Sequence, residues 1–250
     1  MATKAQMDKL SEAKKPRLKK NYVGIELEFL IPNKNIKAFK DALIEHDLET
    51  KVNLGTDSSV EEEDDDVWAK IDNWGGILNP EDQPEGGELR ILAAEDEVTS
   101  VINDVCLLLR EFGCYTNKTC GLHVHLDMRN RDAQKCYNNL FYMQDIMFKT
   151  QSKNRASSGF CDYIFKEYKD TADSHYYGIN YSNAYRKHQT IEVRIHEGTI
   201  NVREIRMWVR FLTHLVNMDT TLTQPQKNFQ YIHLPNEVRL YLNGRIKKFA

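Results

Sequence analysis

The chain has 250 residues, 41% hydrophobic and 28% charged, with a formal net charge of -3. That is the composition of a globular protein, and it supplies no overall charge to draw in nucleic acid or an anionic membrane. No apolar run approaches the roughly 18 residues that a membrane span needs, and the Lys-rich start lacks the apolar core of a signal peptide.

Residues 1–20 hold many lysines and almost no large apolar side chain, which reads as a solvated basic tail. The first strand begins near Tyr22 and carries Gly24-Ile25-Glu26-Leu27-Glu28-Phe29. Ile36, Phe39, Leu43 and Ile44 recur at helical spacing and predict an amphipathic helix over about 35–48. Thr56-Asp57-Ser58-Ser59-Val60 leads into the acidic run Glu61 to Asp66, whose like charges favour an exposed loop over a calcium site. Gly75, Gly76, Pro84 and Gly86 mark turns before a second strand, Gly87-Glu88-Leu89-Arg90-Ile91.

Val98, Val101, Ile102, Val105, Leu108 and Leu109 predict a helix over about 96–112, ending at Gly113. A third strand, Gly121-Leu122-His123-Val124-His125-Leu126, precedes a helix over about 131–150. Residues 152–180 are polar, aromatic and loop-like. The fourth strand is Thr190-Ile191-Glu192-Val193-Arg194-Ile195-His196. Asn201 and Glu204 have capping-box spacing, and Ile205, Trp208, Val209, Leu212 and Leu215 give the helix behind them its buried face. Residues 219–250 read as an appendage on a main domain of 21–218. Cys106, Cys114, Cys120, Cys136 and Cys161 are odd in number and lack CxxC spacing, so they read as reduced thiols of a cytoplasmic protein.

In all four strands one face is Ile, Leu, Val or Phe and the other is Glu, Arg or His. Parallel strands covered on both faces would be apolar throughout. One-sided strands between helices instead predict an α+β fold: a mostly antiparallel sheet with helices on its apolar face and a polar face lining a cleft. Glu26 with Glu28 is a weak signal alone, and the pair His123 and His125 suits metal or phosphate chemistry about as well as a structural role. Arg194 beside Glu192 fits a salt bridge or a phosphate clamp. Carboxylates gathered in one cleft repel unless cations neutralise them, and oxygen donors with one or two histidines favour Mg²⁺ or Mn²⁺ over structural zinc. No P-loop and no Gly-x-Gly-x-x-Gly is present.

Taken in order, these motifs, with Asp57-Ser58-Ser59, Lys153-Asn154-Arg155 and the His196-Glu197-Gly198-Thr199 extension ahead of a Trp-containing helix, resemble the amidoligase family. That family is related to glutamine synthetase and glutamate-cysteine ligase, and the resemblance runs from about Tyr22 to Met218. It implies a curved antiparallel sheet with helices on the convex face, like the glutamine synthetase catalytic domain. It implies ATP and Mg²⁺ or Mn²⁺ on the concave face. Glu26, Glu28, Glu88, His123 and Glu192 would be metal ligands. Arg194 and His125 would meet the ATP phosphates, and Arg155 the substrate carboxylate or acyl phosphate. Asp57, Ser59, Arg90 and Asn180 would contact substrate, with Ser58 standing where the family has glycine. His196 and Glu197 are expected to be structural.

The implied reaction joins a small-molecule or peptide carboxylate to an amine through an acyl phosphate. The segment of about 152–180 would close over it as a lid. The alternatives are another metal-dependent phosphotransferase or hydrolase on the same fold, and a non-catalytic binding protein; either is compatible with an oligomer.

Overall fold

The structure is a computed structural model that describes residues 20–56, 84–165, 176–181, 184, 189–230 and 232–250. The basic tail, the acidic run and the candidate substrate residues Asp57 and Ser59 lie outside the described residues.

The strands are β1 (Tyr22–Pro32), β2 (Val52–Thr56), β3 (Pro84–Ala94), β4 (Gly121–Asp127), β5 (Ile179–Asn180) and β6 (Thr190–Glu197). The helices are α1 (Ile36–Glu45), α2 (Val98–Glu111), α3 (Ala133–Lys149), α4 (Lys153–Ala156), α5 (Val202–Asn217) and α6 (Asn236–Phe249). The strands hydrogen-bond in the order β2-β3-β1-β4-β6-β5, and the β2–β3 and β5–β6 pairs are antiparallel. This is the expected α+β layout with an antiparallel sheet. No described helix is long and apolar enough to cross a membrane.

The alternation read from the sequence is visible in the packing. Val23, Ile25, Leu27 and Phe29 of β1, Leu122, Val124 and Leu126 of β4, and Ile191, Val193 and Ile195 of β6 are all buried. The chain falls into two compact units. Among the described residues, one comprises those of 24–123 and 196–209, the other those of 20–23, 124–195 and 210–250.

In the first unit, Phe39 of α1 packs edge-on against Phe29 at 6.1 Å and against Phe112 at 5.7 Å. The stripe on α1 differs from expectation: Phe39, Ala42 and Leu43 are buried, while Ile44 is 59% exposed. Ala42 takes the inward place because a stripe at i, i+3, i+4 from Phe39 passes through it and through Leu43. β2 is an additional strand. It pairs Val52 with Ile91 and Leu54 with Leu89.

The α5 cap is half of the expected box. Asn201 Oδ1 accepts from Arg203 N at 3.0 Å and Glu204 N at 3.3 Å. The Asn201 N–H goes to Thr199 Oγ1 at 3.1 Å, and that hydroxyl donates to Glu204 at 3.0 Å. Thr199 thus stands between the two residues that a capping box joins directly. All five residues expected on the buried face of α5 are buried.

In the second unit, Asn139 of α3 is fully buried and joins three segments. It donates to Leu215 O at 3.0 Å and Thr220 O at 3.1 Å, and accepts from Leu222 N at 2.7 Å. Residues 219–250 belong to this unit, where Val238 and Leu242 of α6 are fully buried.

The lid expectation needs correction over its first part. Cys161 and Ile164 are 1% exposed. Gln144 of α3 holds the Ile164 main chain from both sides, donating to its O at 2.8 Å and accepting its N–H at 3.1 Å. Tyr163 donates to Asp145, and burial with that carboxylate pushes its phenol up to about 12. Satisfied buried main-chain groups hold a segment down, so residues 153–164 are part of the packed unit. Residues 166–175 lie outside the described residues.

Candidate functional site

Several charged groups of the polar strand faces are buried. Glu28 is 6% exposed, Glu88 7%, His123 3%, Glu192 4% and Asn180 6%. Charged groups this buried need partners.

In the first unit the centre is His123 on β4. Its Nδ1 lies 3.1 Å from Glu26 Oε2 and its Nε2 lies 3.3 Å from Glu28 Oε1. Glu28 Oε2 accepts the Gly121 N–H at 2.6 Å, which fixes the carboxylate beside the ring. Alternation on β1 sends Glu26 and Glu28 to one face, and their neighbours Ile25, Leu27 and Phe29 anchor that strand in the core. On β3, Arg90 forks onto Glu88, with Nε to Oε1 at 2.6 Å and Nη2 to Oε2 at 2.7 Å. The Arg90 side chain is 56% exposed, so it reaches outward past the carboxylate it holds.

In the second unit Glu192 is the hub. Its Oε1 takes Arg194 Nη1 at 2.6 Å and lies 3.9 Å from His125 Nε2, and its Oε2 accepts from Asn180 at 3.3 Å. Thr190 Oγ1 lies 3.4 Å from His125 Nδ1. Arg155 is 3% exposed, and its Nη2 donates to the main-chain O of Arg194 at 2.7 Å. The Glu-x-Arg pairs of β3 and β6 thus form the same same-face ion pair, a strong charge-assisted contact.

Of the expected site residues, Glu26, Glu28 and His123 come together in one unit, as do His125, Asn180, Glu192, Arg194 and Arg155 in the other. Glu88 and Arg90 hold each other. His196, expected to be structural, is fully buried with its ring 5.0 Å from Trp208.

Three contributors were not among the expected residues: the Gly121 N–H, Thr190 and Gly178. Gly178 O accepts from Arg194 N at 2.9 Å. A Cβ at Gly178 would lie 2.7 Å from Ile195 Cγ1 and 3.2 Å from Phe148, so only glycine lets that main chain reach β6. Nothing in the sequence marks it, because the Ile179–Asn180 strand it precedes has only two residues.

Asp127 closes β4. Burial raises its carboxyl, but the Arg129 guanidinium and the N–H groups of Arg129 and Tyr22 outweigh that and hold it below the usual range.

Residues 141–216 match the family model described as "Putative amidoligase enzyme". This is the family the ordered motifs resemble. The amidoligase match spans Arg155, Asn180, Glu192 and Arg194, whereas Glu26, Glu28, Glu88, His123 and His125 precede it. No curated protein matches the chain.

Proposed function

We propose that this protein is an ATP- and metal-dependent ligase that joins a carboxylate to an amine. The observation that carries the reading is His123, buried with a carboxylate at each ring nitrogen. Imidazole nitrogen and carboxylate oxygen are donor types that Mg²⁺ or Mn²⁺ would accept together. Glu26, Glu28, Glu88, His123 and Glu192 are the metal ligands this reading assigns. Glu192 and His125 offer the same donor types beside Arg194. The fold proposed with this reading is of the glutamine synthetase catalytic type, with the sheet curved around its polar face.

ATP with Mg²⁺ or Mn²⁺ would supply a phosphoryl group that makes the substrate carboxylate a good acyl donor. The side chains have the remaining tasks. Arg194, anchored by Glu192, presents a guanidinium to phosphate oxygens. His125 is set beside the same carboxylate. Arg155 would neutralise the substrate carboxylate, and Asn180 and Arg90 would orient substrate. The amidoligase match over residues 141–216 favours an amine, rather than water or an alcohol, as the final acceptor.

The test is product analysis on the full chain with MgATP and a panel of amino acids and dipeptides, each offered as acid and as amine. The reading requires ADP release that depends on both partners, with one amide formed per ADP. ADP release that needs neither acid nor amine would identify a hydrolase instead.

A further inference from the structure

Helix α6 carries a buried arginine with an unusual target. Arg245 is 5% exposed, and its Nε donates to the main-chain O of Thr150 at 2.7 Å. Its guanidinium lies 5.0 Å from the centre of the Phe249 ring and 6.0 Å from that of Tyr241, so the planar group is held on aromatic faces. Thr150 is the C-cap of α3, where main-chain carbonyls lack helical partners and the helix dipole is negative. A buried cation there meets both needs.

The corner that Arg245 grips leads directly to the site. Thr150 is fully buried, donating to Met147 O at 2.7 Å and accepting from Gln151 at 2.7 Å. Ser152 follows as the N-cap of α4 and accepts the Arg155 N–H at 3.3 Å. Arg155 then reaches across to the Arg194 carbonyl on β6. Polar contacts joined by the main chain of residues 150–152 therefore lead from the C-terminal helix, through the α3–α4 corner, to the strand that carries Glu192 and Arg194. Residue 245 lies beyond the amidoligase match, which ends at 216.

We propose that Arg245 is a positioning residue that fixes the Thr150–Ser152 corner and thereby sets where Arg155 stands. What Arg155 does in turnover rests on the ligase reading; the hold on the corner does not. Lysine has no planar fork to lie on Phe249 and Tyr241, so Arg245→Lys keeps the charge but holds the corner less well.

Hydrogen exchange on the full chain tests the hold. The amides of Arg155, Ala156 and Ser157, which donate to Ser152 Oγ, Ser152 O and Lys153 O, report on the corner. Arg245→Met keeps the stem in place and removes the donors, and should speed exchange of residues 151–158 by about tenfold, the equivalent of one buried hydrogen bond. Exchange in α6 should stay unchanged, and Arg245→Lys should fall between. Unchanged exchange at 151–158, or an equal rise throughout α3 and α6, overturns the proposal. In the ligase assay, Arg245→Met should raise KM for the acid while KM for ATP holds; a fall in kcat alone contradicts the positioning role. A wild-type chain that forms no amide sinks the ligase reading, and exchange still decides the role of Arg245.

Discussion

Glu28 and His123 hold each other in a buried pair, with Oε1 3.3 Å from Nε2, and the other carboxylate oxygen is tied to the Gly121 N–H at 2.6 Å. The main chain of β4 therefore orients the carboxylate that faces its own histidine two residues later. Glu28→Gln preserves the shape and the acceptor for Gly121 but removes the charge. The expected cost in stability is about 1 kcal/mol. The expected loss of Mn²⁺ affinity is at least about tenfold, of the size seen when a ligand or its orienting partner is removed. Thermal melts with and without Mn²⁺ measure both; an Mn²⁺ shift equal to that of the wild type would remove Glu28 from the ligand set.

Gly198 is a close-approach position. A Cβ there would lie 2.4 Å from Cys120 Cβ and 2.8 Å from its carbonyl carbon, while Gly198 N donates to Cys120 O at 2.8 Å. Backbone cannot give way as a side-chain tip can, so Gly198→Ala should cost roughly 3 kcal/mol, the upper end of overpacking. Urea denaturation measures this, and a cost under about 0.5 kcal/mol, the surface-substitution range, would contradict the packing.

Acid should weaken the fold partly through Asp127. Its folded carboxyl is held below the unfolded value of 3.8, so the unfolded chain binds the proton first. Its stabilising contribution is complete above that value and is lost as pH falls toward the folded one. Asp127→Asn should flatten the dependence of unfolding free energy on pH below about 4, where an unperturbed Asp titrates. A slope identical to the wild type's would exclude Asp127 from the acid response.

The thiols should be inert in the native protein. All five cysteines are buried, and burial pushes Cys106 and Cys114 up to about 12 and Cys136 to about 11. Thiolate is the reactive form, so Ellman's reagent at neutral pH should label them only after denaturation. Rapid native labelling would contradict the burial.

The strands and long helices were legible because alternation and helical stripes are direct images of burial, as Ile25, Leu27 and Phe29 or Trp208 and Leu212 illustrate. β2 was not legible: Val52-Asn53-Leu54-Gly55-Thr56 is short and includes a glycine, and it becomes a strand through its pairing with β3. β5 has two residues, too few for any period. Ile44 points outward because Ala42 occupies the inward place, a choice set by packing partners rather than by hydropathy. At the site, residue types and faces were legible. The Gly121 amide behind Glu28 was not, nor was the burial of Arg155 under β6, because main-chain partners and depth arise only when distant segments meet.

The most direct measurement is calorimetric titration of the full chain with ATP, with and without Mg²⁺ or Mn²⁺, beside Glu26→Gln and Glu192→Gln. Nucleotide binding should require the metal and disappear in both variants while they remain folded. Binding that ignores the metal, or that survives both substitutions, would contradict a carboxylate-held metal–nucleotide site and with it the ligase reading.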